Sequence, residues 1–184
     1  MLPIKSVRNL NGHSITPFSI HGFKNGKPGK TVPIVESSDP TKMEAGEFFA
    51  IETFGTTGKG HVVEDGQASH YSLKNELPAG VPKNPKARQL FKSIKTHFST
   101  LPFAKRYLMD ALVWDSKHSV SIEQQLLNSS GAALGLSLSQ LCNEGFVDAH
   151  PPLVDMKGSH VAQFEHTIAI HENGTEILTK GDDY

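Results

Sequence analysis

A single cysteine, Cys142, stands among 184 residues, so no disulfide can close within the chain and nothing in its cysteine usage points to an oxidising compartment. The thiol is expected to be buried. Charge of either sign is not in excess: 18 Lys and Arg face 19 Asp and Glu, for a net charge of -1. The basic surplus that favours nucleic-acid binding is missing, and specific nucleic-acid recognition is not expected. Long hydrophobic runs are missing too. Nowhere does an apolar stretch approach the roughly 20 residues that span a bilayer, and the opening residues have no signal-peptide core. These absences predict a soluble cytoplasmic protein without a membrane partner, long enough for one real core.

Several catalytic signatures are absent as well. No GxSxG elbow supports serine-type hydrolysis, and neither an HExxH helix nor paired CxxC spacing marks a zinc site. The string Phe54-Gly55-Thr56-Thr57-Gly58-Lys59-Gly60 has the look of a phosphate loop but not the Walker spacing, which disfavours phosphate binding.

What is present begins as short strands broken by turns. Turn signals fall at Asn11-Gly12, across residues 24–30 and across residues 55–60, with strands expected over 31–35 and 48–54. In the latter, alternation puts Phe48, Ala50, Glu52 and Phe54 on one face. From residue 86 to 144 the pattern turns helical. Leu90, Phe91, Ile94 and Phe98 cluster on a first helix, Pro102 starts a second, residues 122–127 form a third, and residues 132–144 a fourth that ends on Gly145. Strand alternation returns over 161–170, where Gln163, Glu165 and Thr167 share a face, and Asn173-Gly174 signals a hairpin into residues 175–178.

Glu52 and Glu165 each sit in the middle of a strongly apolar strand, where an unpaired charge costs about several kcal/mol. Two readings follow. They are strand carboxylates neutralised by Lys or Arg or left on an open face, or they ligate metal. Ten histidines, with His13, His21, His70, His160 and His166 near the same turns and strands, are compatible with the second reading without establishing it.

The local strings carry more. Asn9-Leu10-Asn11-Gly12-His13-Ser14-Ile15, Ala50-Ile51-Glu52-Thr53-Phe54-Gly55, Ala162-Gln163-Phe164-Glu165-His166-Thr167 and the closing Gly181-Asp182-Asp183-Tyr184 resemble type 2 methionine aminopeptidases. The resemblance extends to residues 29–35, Ser69-His70-Tyr71, residues 100–103 and Pro151-Pro152-Leu153, and so covers nearly the whole chain in order. Aminopeptidase P and prolidase share that fold but carry Glu-Pro-Gly where this chain has Glu52-Thr53-Phe54.

The resemblance implies an α+β pita-bread fold, here its carboxy-terminal half, with a winged-helix-like helical insert. Residues 1–85 and 151–184 would form the half and residues 86–150 the insert. It further implies a metallo-aminopeptidase that removes the amino-terminal methionine of nascent proteins, in the cytoplasm and near the ribosome. His13, Glu52 and Glu165 would ligate two divalent ions (Co, Mn, Fe or Zn), with Glu165 shared between them. Glu52 would also take a proton from the attacking water, His21 would contact substrate and steady the developing negative oxygen, and His70 would line the methionine pocket.

Departures accompany the matches. The family draws two aspartate ligands and a further histidine from an amino-terminal half that this sequence does not contain, so normal activity is not expected of the chain alone. The polybasic extension is missing, residues 23–28 add a loop, and His150 and His160 stand where tyrosines are usual. The alternative is a catalytically inactive pita-bread module working through protein or RNA contacts, although such relatives lose ligands that are retained here.

Overall fold

The computed structural model describes residues 3–22, 26–116 and 132–182. The helix expected over 122–127 and part of the loop at 23–28 lie outside them. Among the described residues the elements run β1 (Lys5–Ser6), β2 (Asn11–Ile15), β3 (Thr31–Pro33), β4 (Phe48–Thr56), β5 (Val63–Glu64) and β6 (His70–Leu73). There follow α1 (Pro85–His97), β7 (Phe103–Ala104), α2 (Lys105–Ser116), α3 (Ala132–Asn143), β8 (Val147–His150), β9 (Leu153–Val154), β10 (Val161–His171) and β11 (Gly174–Ile177). They fall into two compact units: Met1–Asp65 with Leu153–Tyr184, and Gly66–Pro152.

The first unit is an antiparallel sheet in the order β11-β10-β4-β2-β3, with β1 pairing the far end of β4. Two long strands, β4 and β10, form its spine and match residue for residue from Val161 opposite Thr56 to Ala169 opposite Phe48. Phe49, Ala50 and Ala169 are buried, on both faces of the strands rather than on one. Asn11-Gly12 is not a turn: it lies inside β2. A Cβ on Gly12 would run into the backbone carbonyl of Ala50, so glycine is required by a close strand approach, a role that a turn-based reading of Asn-Gly misses. The expected hairpin after β10 forms one residue early, with His171 opposite Gly174 and Glu172-Asn173 as the loop.

In the second unit α1, α2 and α3 pack with a three-stranded sheet ordered β7-β6-β8. The Asn84 side chain caps α1 by accepting from Lys86 N at 2.8 Å, and Pro85 occupies the first turn, where its missing N–H is no loss. Leu90, Ile94, Leu108, Leu112, Leu134, Leu138 and Leu141 are fully buried in one cluster, with Phe91 and Phe98 packed against it. α3 ends as expected on Gly145 (φ 79°), and Phe146 N donates to Leu141 O at 2.9 Å beyond it. Pro102 does not start α2. Phe103 and Ala104 pair with Tyr71 and His70, and that ladder holds them extended until the helix begins at Lys105. Cys142 is partly rather than fully buried, and its burial still pushes the thiol's pKa up. No helix among the described residues is long and apolar enough to cross a membrane.

Candidate metal centre

Register brings the two glutamates together. Glu165 on β10 lies directly opposite Glu52 on β4, and directly opposed residues of an antiparallel pair project from the same face with Cβ atoms about 5 Å apart. His13 is opposite Ala50, two residues from Glu52, and so joins that face diagonally. Its Nε2 is 3.1 Å from Glu52 Oε1. Gln163, one alternation from Glu165, donates from Nε2 to Glu52 Oε2 at 3.0 Å and to Glu165 Oε2 at 3.1 Å. The His21 ring packs edge-on to His13 with centroids 4.6 Å apart. Four of the five residues to which the resemblance gives a role are thus joined through direct contacts or register. His70 belongs to the second unit, on β6, with Nδ1 2.9 Å from Ser69 Oγ.

Among the described residues, neither open solvent nor a Lys or Arg partner accounts for Glu52. Its side chain is only 11% exposed, and its ion-pair contact is with His13. Burial raises its pKa first, and the charge of Glu165 adds to the rise, while His13 and the Gln163 amide pull the other way. Like charges directly opposed across strands are destabilising without an intervening cation.

The histidine sharpens this. His13 Nδ1 lies 3.2 Å from the Ser14 carbonyl oxygen, and a carbonyl can only accept, so Nδ1 carries the hydrogen. In the neutral ring Nε2 is therefore a lone pair, aimed at a carboxylate oxygen 3.1 Å away. Two acceptors at that distance need a proton or a cation between them. Bonds of about 2.1 Å to imidazole nitrogen and to carboxylate oxygen at roughly a right angle span about 3 Å, so the pair fits adjacent corners of one ion's coordination shell. Among the described residues, no group of three or more His, Cys, Asp or Glu side chains meets the closeness of a complete metal cage. The donor set fits part of a shell.

Two residues escaped the sequence reading. Gln163 was placed on the right face, but nothing local showed that its amide would bridge both carboxylates. Asp155 had no signal at all. Its carboxylate accepts from Lys59 N (3.0 Å), Gly60 N (2.9 Å), Met156 N (2.7 Å) and Thr56 Oγ1 (3.0 Å). Those donors, the Lys59 amide foremost, hold its pKa well below the ordinary carboxylate range. Asp155 also shows why the glycine string after β4 is no phosphate loop: an internal carboxylate takes its amides.

On the opposite face of the sheet, beside β1, β4 and β10, a cleft of about 520 Å³ is lined by Ile4, Ile34, Val161, Ala162 and Phe164 among others. Ile4 is 74% and Phe164 77% exposed.

No protein-family model matches the sequence. Among curated proteins the chain is similar to methionine aminopeptidase 2-2 of Chaetomium globosum, 46% identical over 182 residues, and to methionine aminopeptidase 2 of Clavispora lusitaniae, 47% identical over 182 residues. Each match takes in 99% of this chain and 36% of the relative, so the chain spans about a third of their length. Among solved structures it is similar to a thermophilic Arx1, with a TM-score of 0.68 and 16% identity over 98% of this chain and 42% of that one. At that identity the likeness concerns the fold, which is mixed α and β.

Proposed function

The chain belongs by sequence to the type 2 methionine aminopeptidase family, corresponding to a carboxy-terminal portion of its members, and from this we propose that it carries part of a dinuclear metal site for removing an initiator methionine. The observation that carries the proposal is the meeting of His13, Glu52 and Glu165 on one sheet face, with acceptor atoms aimed at one another as ligands of a shared cation are. His13, Glu52 and Glu165 would hold the metal, Co, Mn, Fe or Zn by the hardness of two carboxylates and one imidazole. Two divalent ions, when bound, acidify a water and polarise the carbonyl to be attacked.

The chain's own residues would do the rest. Glu52, whose carboxylate is made more basic by burial and by the charge of Glu165, would take a proton from the attacking water and pass it to the departing amine. His21, against the His13 ring, would donate to the substrate's carbonyl oxygen as charge develops there. The substrate would be the amino terminus of a nascent protein in the cytoplasm, near the ribosome.

For architecture we propose one half of a pita-bread fold, residues 1–85 and 151–184, interrupted by a winged-helix-like insert over 86–150. Three helices packed with a small sheet in Gly66–Pro152 support it, and the compact unit is wider than the insert because β6 enters that sheet. A second reading, a non-catalytic module of this fold binding protein or RNA, is favoured by one observation: among the described residues no three-donor group closes around a metal.

Calorimetric titration of the chain with Mn²⁺ or Co²⁺, with Glu165→Ala alongside and a Met-Ala-Ser peptide assay, separates the two. The proposal predicts metal binding weakened by about tenfold or more in Glu165→Ala, the order expected when a ligand is lost. Binding that is indifferent to Glu165 and absence of methionine release would leave the binding module.

A further inference from the structure

We propose that His70 and His150 form a separate chelating site for a borderline divalent transition ion such as Cu²⁺, Ni²⁺ or Zn²⁺, built wholly within Gly66–Pro152. It does not depend on the aminopeptidase reading. β6 and β8 are antiparallel and His70 lies directly opposite His150. Lys74 N donates to Phe146 O at 3.1 Å, which marks that pair as a hydrogen-bonded one. Counting back by twos along the register, Ser72 with Asp148 and His70 with His150 are of the same kind, with Cα atoms about 5.5 Å apart and side chains leaving one face.

Alternation makes that face the solvent side. Leu73 and Val147 are buried and Tyr71 packs on the same core, whereas His70 and His150 are both exposed. Each ring also has one nitrogen engaged by a serine hydroxyl: His70 Nδ1 with Ser69 Oγ at 2.9 Å, and His150 Nε2 with Ser72 Oγ at 2.8 Å. If each of those nitrogens donates, the other nitrogen of each ring, Nε2 of His70 and Nδ1 of His150, presents a lone pair. Ligating histidines are oriented by such a bond from the non-ligating nitrogen. Exposed side chains change rotamer within nanoseconds, and imidazoles on neighbouring strands reach adjacent corners of a coordination shell, the remaining corners taken by water. Asp148 shares the face but is engaged by Lys74 at 3.2 Å, so the donor set is two neutral imidazoles. Such a set selects Cu²⁺, Ni²⁺ or Zn²⁺ over Mn²⁺ or Mg²⁺.

The consequence is mechanical. His70 lies at the start of the second unit and His150 near its end, so a bound ion would clip entry strand to exit strand and stabilise the native unit by mass action.

The test uses the full chain carrying His13→Ala and Glu52→Ala, which removes the carboxylate site. It is titrated with Cu²⁺ held by iminodiacetate, a chelate that leaves room for two imidazoles, and read by electron paramagnetic resonance. Two imidazole nitrogens, besides the chelate's own amine nitrogen, are expected at saturation. His70→Ala and His150→Ala should each weaken binding by about tenfold or more, and the double substitution should be little worse than either single one, as chelation requires. Zn²⁺ should raise the melting temperature of the parent but not of either variant. Circular dichroism establishes that each variant is folded; His150→Tyr, an aromatic at an exposed strand position, replaces any that is not. Spectra showing only one imidazole beside the chelate's amine nitrogen, or two single substitutions whose small effects simply add, would show two independent surface histidines and overturn the proposal.

Discussion

With Nδ1 of His13 held by the Ser14 carbonyl and Nε2 aimed at Glu52, the first unit's polar face is built around a deficit of positive charge. The Gln163 amide, donating to both Glu52 and Glu165, partly fills it. Gln163→Ala is expected to cost about 1 kcal/mol in urea unfolding without added metal, and saturating Mn²⁺ should narrow the gap; a variant as stable as the parent would remove Gln163 from the account. At Asp155 the charge is already satisfied by four donors, and pH reports it. Its folded pKa lies below the unfolded value of about 3.9, so its contribution is present above that pH and is lost as pH falls through the folded value. Asp155→Asn should therefore lower the melting temperature at pH 7 and flatten the decline below about pH 4. An unchanged acid limb in the variant would place the titration elsewhere.

Among the elements, β2 is where one atom decides geometry. Gly12 admits the Ala50 carbonyl, a close approach compatible with the register that puts His13 beside Glu52. Gly12→Ala should destabilise the chain by about 1–3 kcal/mol and weaken Mn²⁺ binding in parallel, although residue 12 bears no ligand. Loss of stability with metal affinity intact would separate the strand's packing from the site's assembly. Helix boundaries illustrate the same competition in the second unit. Gly145 ends α3 as its sequence signal predicts, and the Asn84-Pro85 cap, which the sequence reading did not single out, follows the same short-range rules of capping and left-handed backbone geometry. Pro102 was a local signal overruled, because the β6–β7 ladder claims the two residues that follow it.

For the whole molecule, the sheet face opposite the carboxylates carries exposed apolar surface. Ile4 and Phe164 are more than two-thirds exposed beside an apolar cleft, and exposed apolar surface of this kind favours association or dye binding. The chain should bind an anilinonaphthalene dye in its folded state, and Phe164→Ser should reduce the dye signal without lowering the melting temperature. A cooperative, monomeric chain that leaves the dye dark would contradict that expectation.

Period-2 alternation and local strings sufficed to place Glu52 and Glu165 on strands, to group Gln163 with Glu165, and to point to the family, because side-chain direction and short motifs are properties of neighbouring residues. The metal ligands and the fold's division remain readings that those strings support. Tertiary structure alone decided that Glu165 faces Glu52 across 113 residues of chain, that Asp155 returns to fill the amides of the loop after β4, and that His70 lies opposite His150 in register. Register between distant strands is a sum of many weak packing and hydrogen-bond terms spread along their whole length, and no single residue announces it.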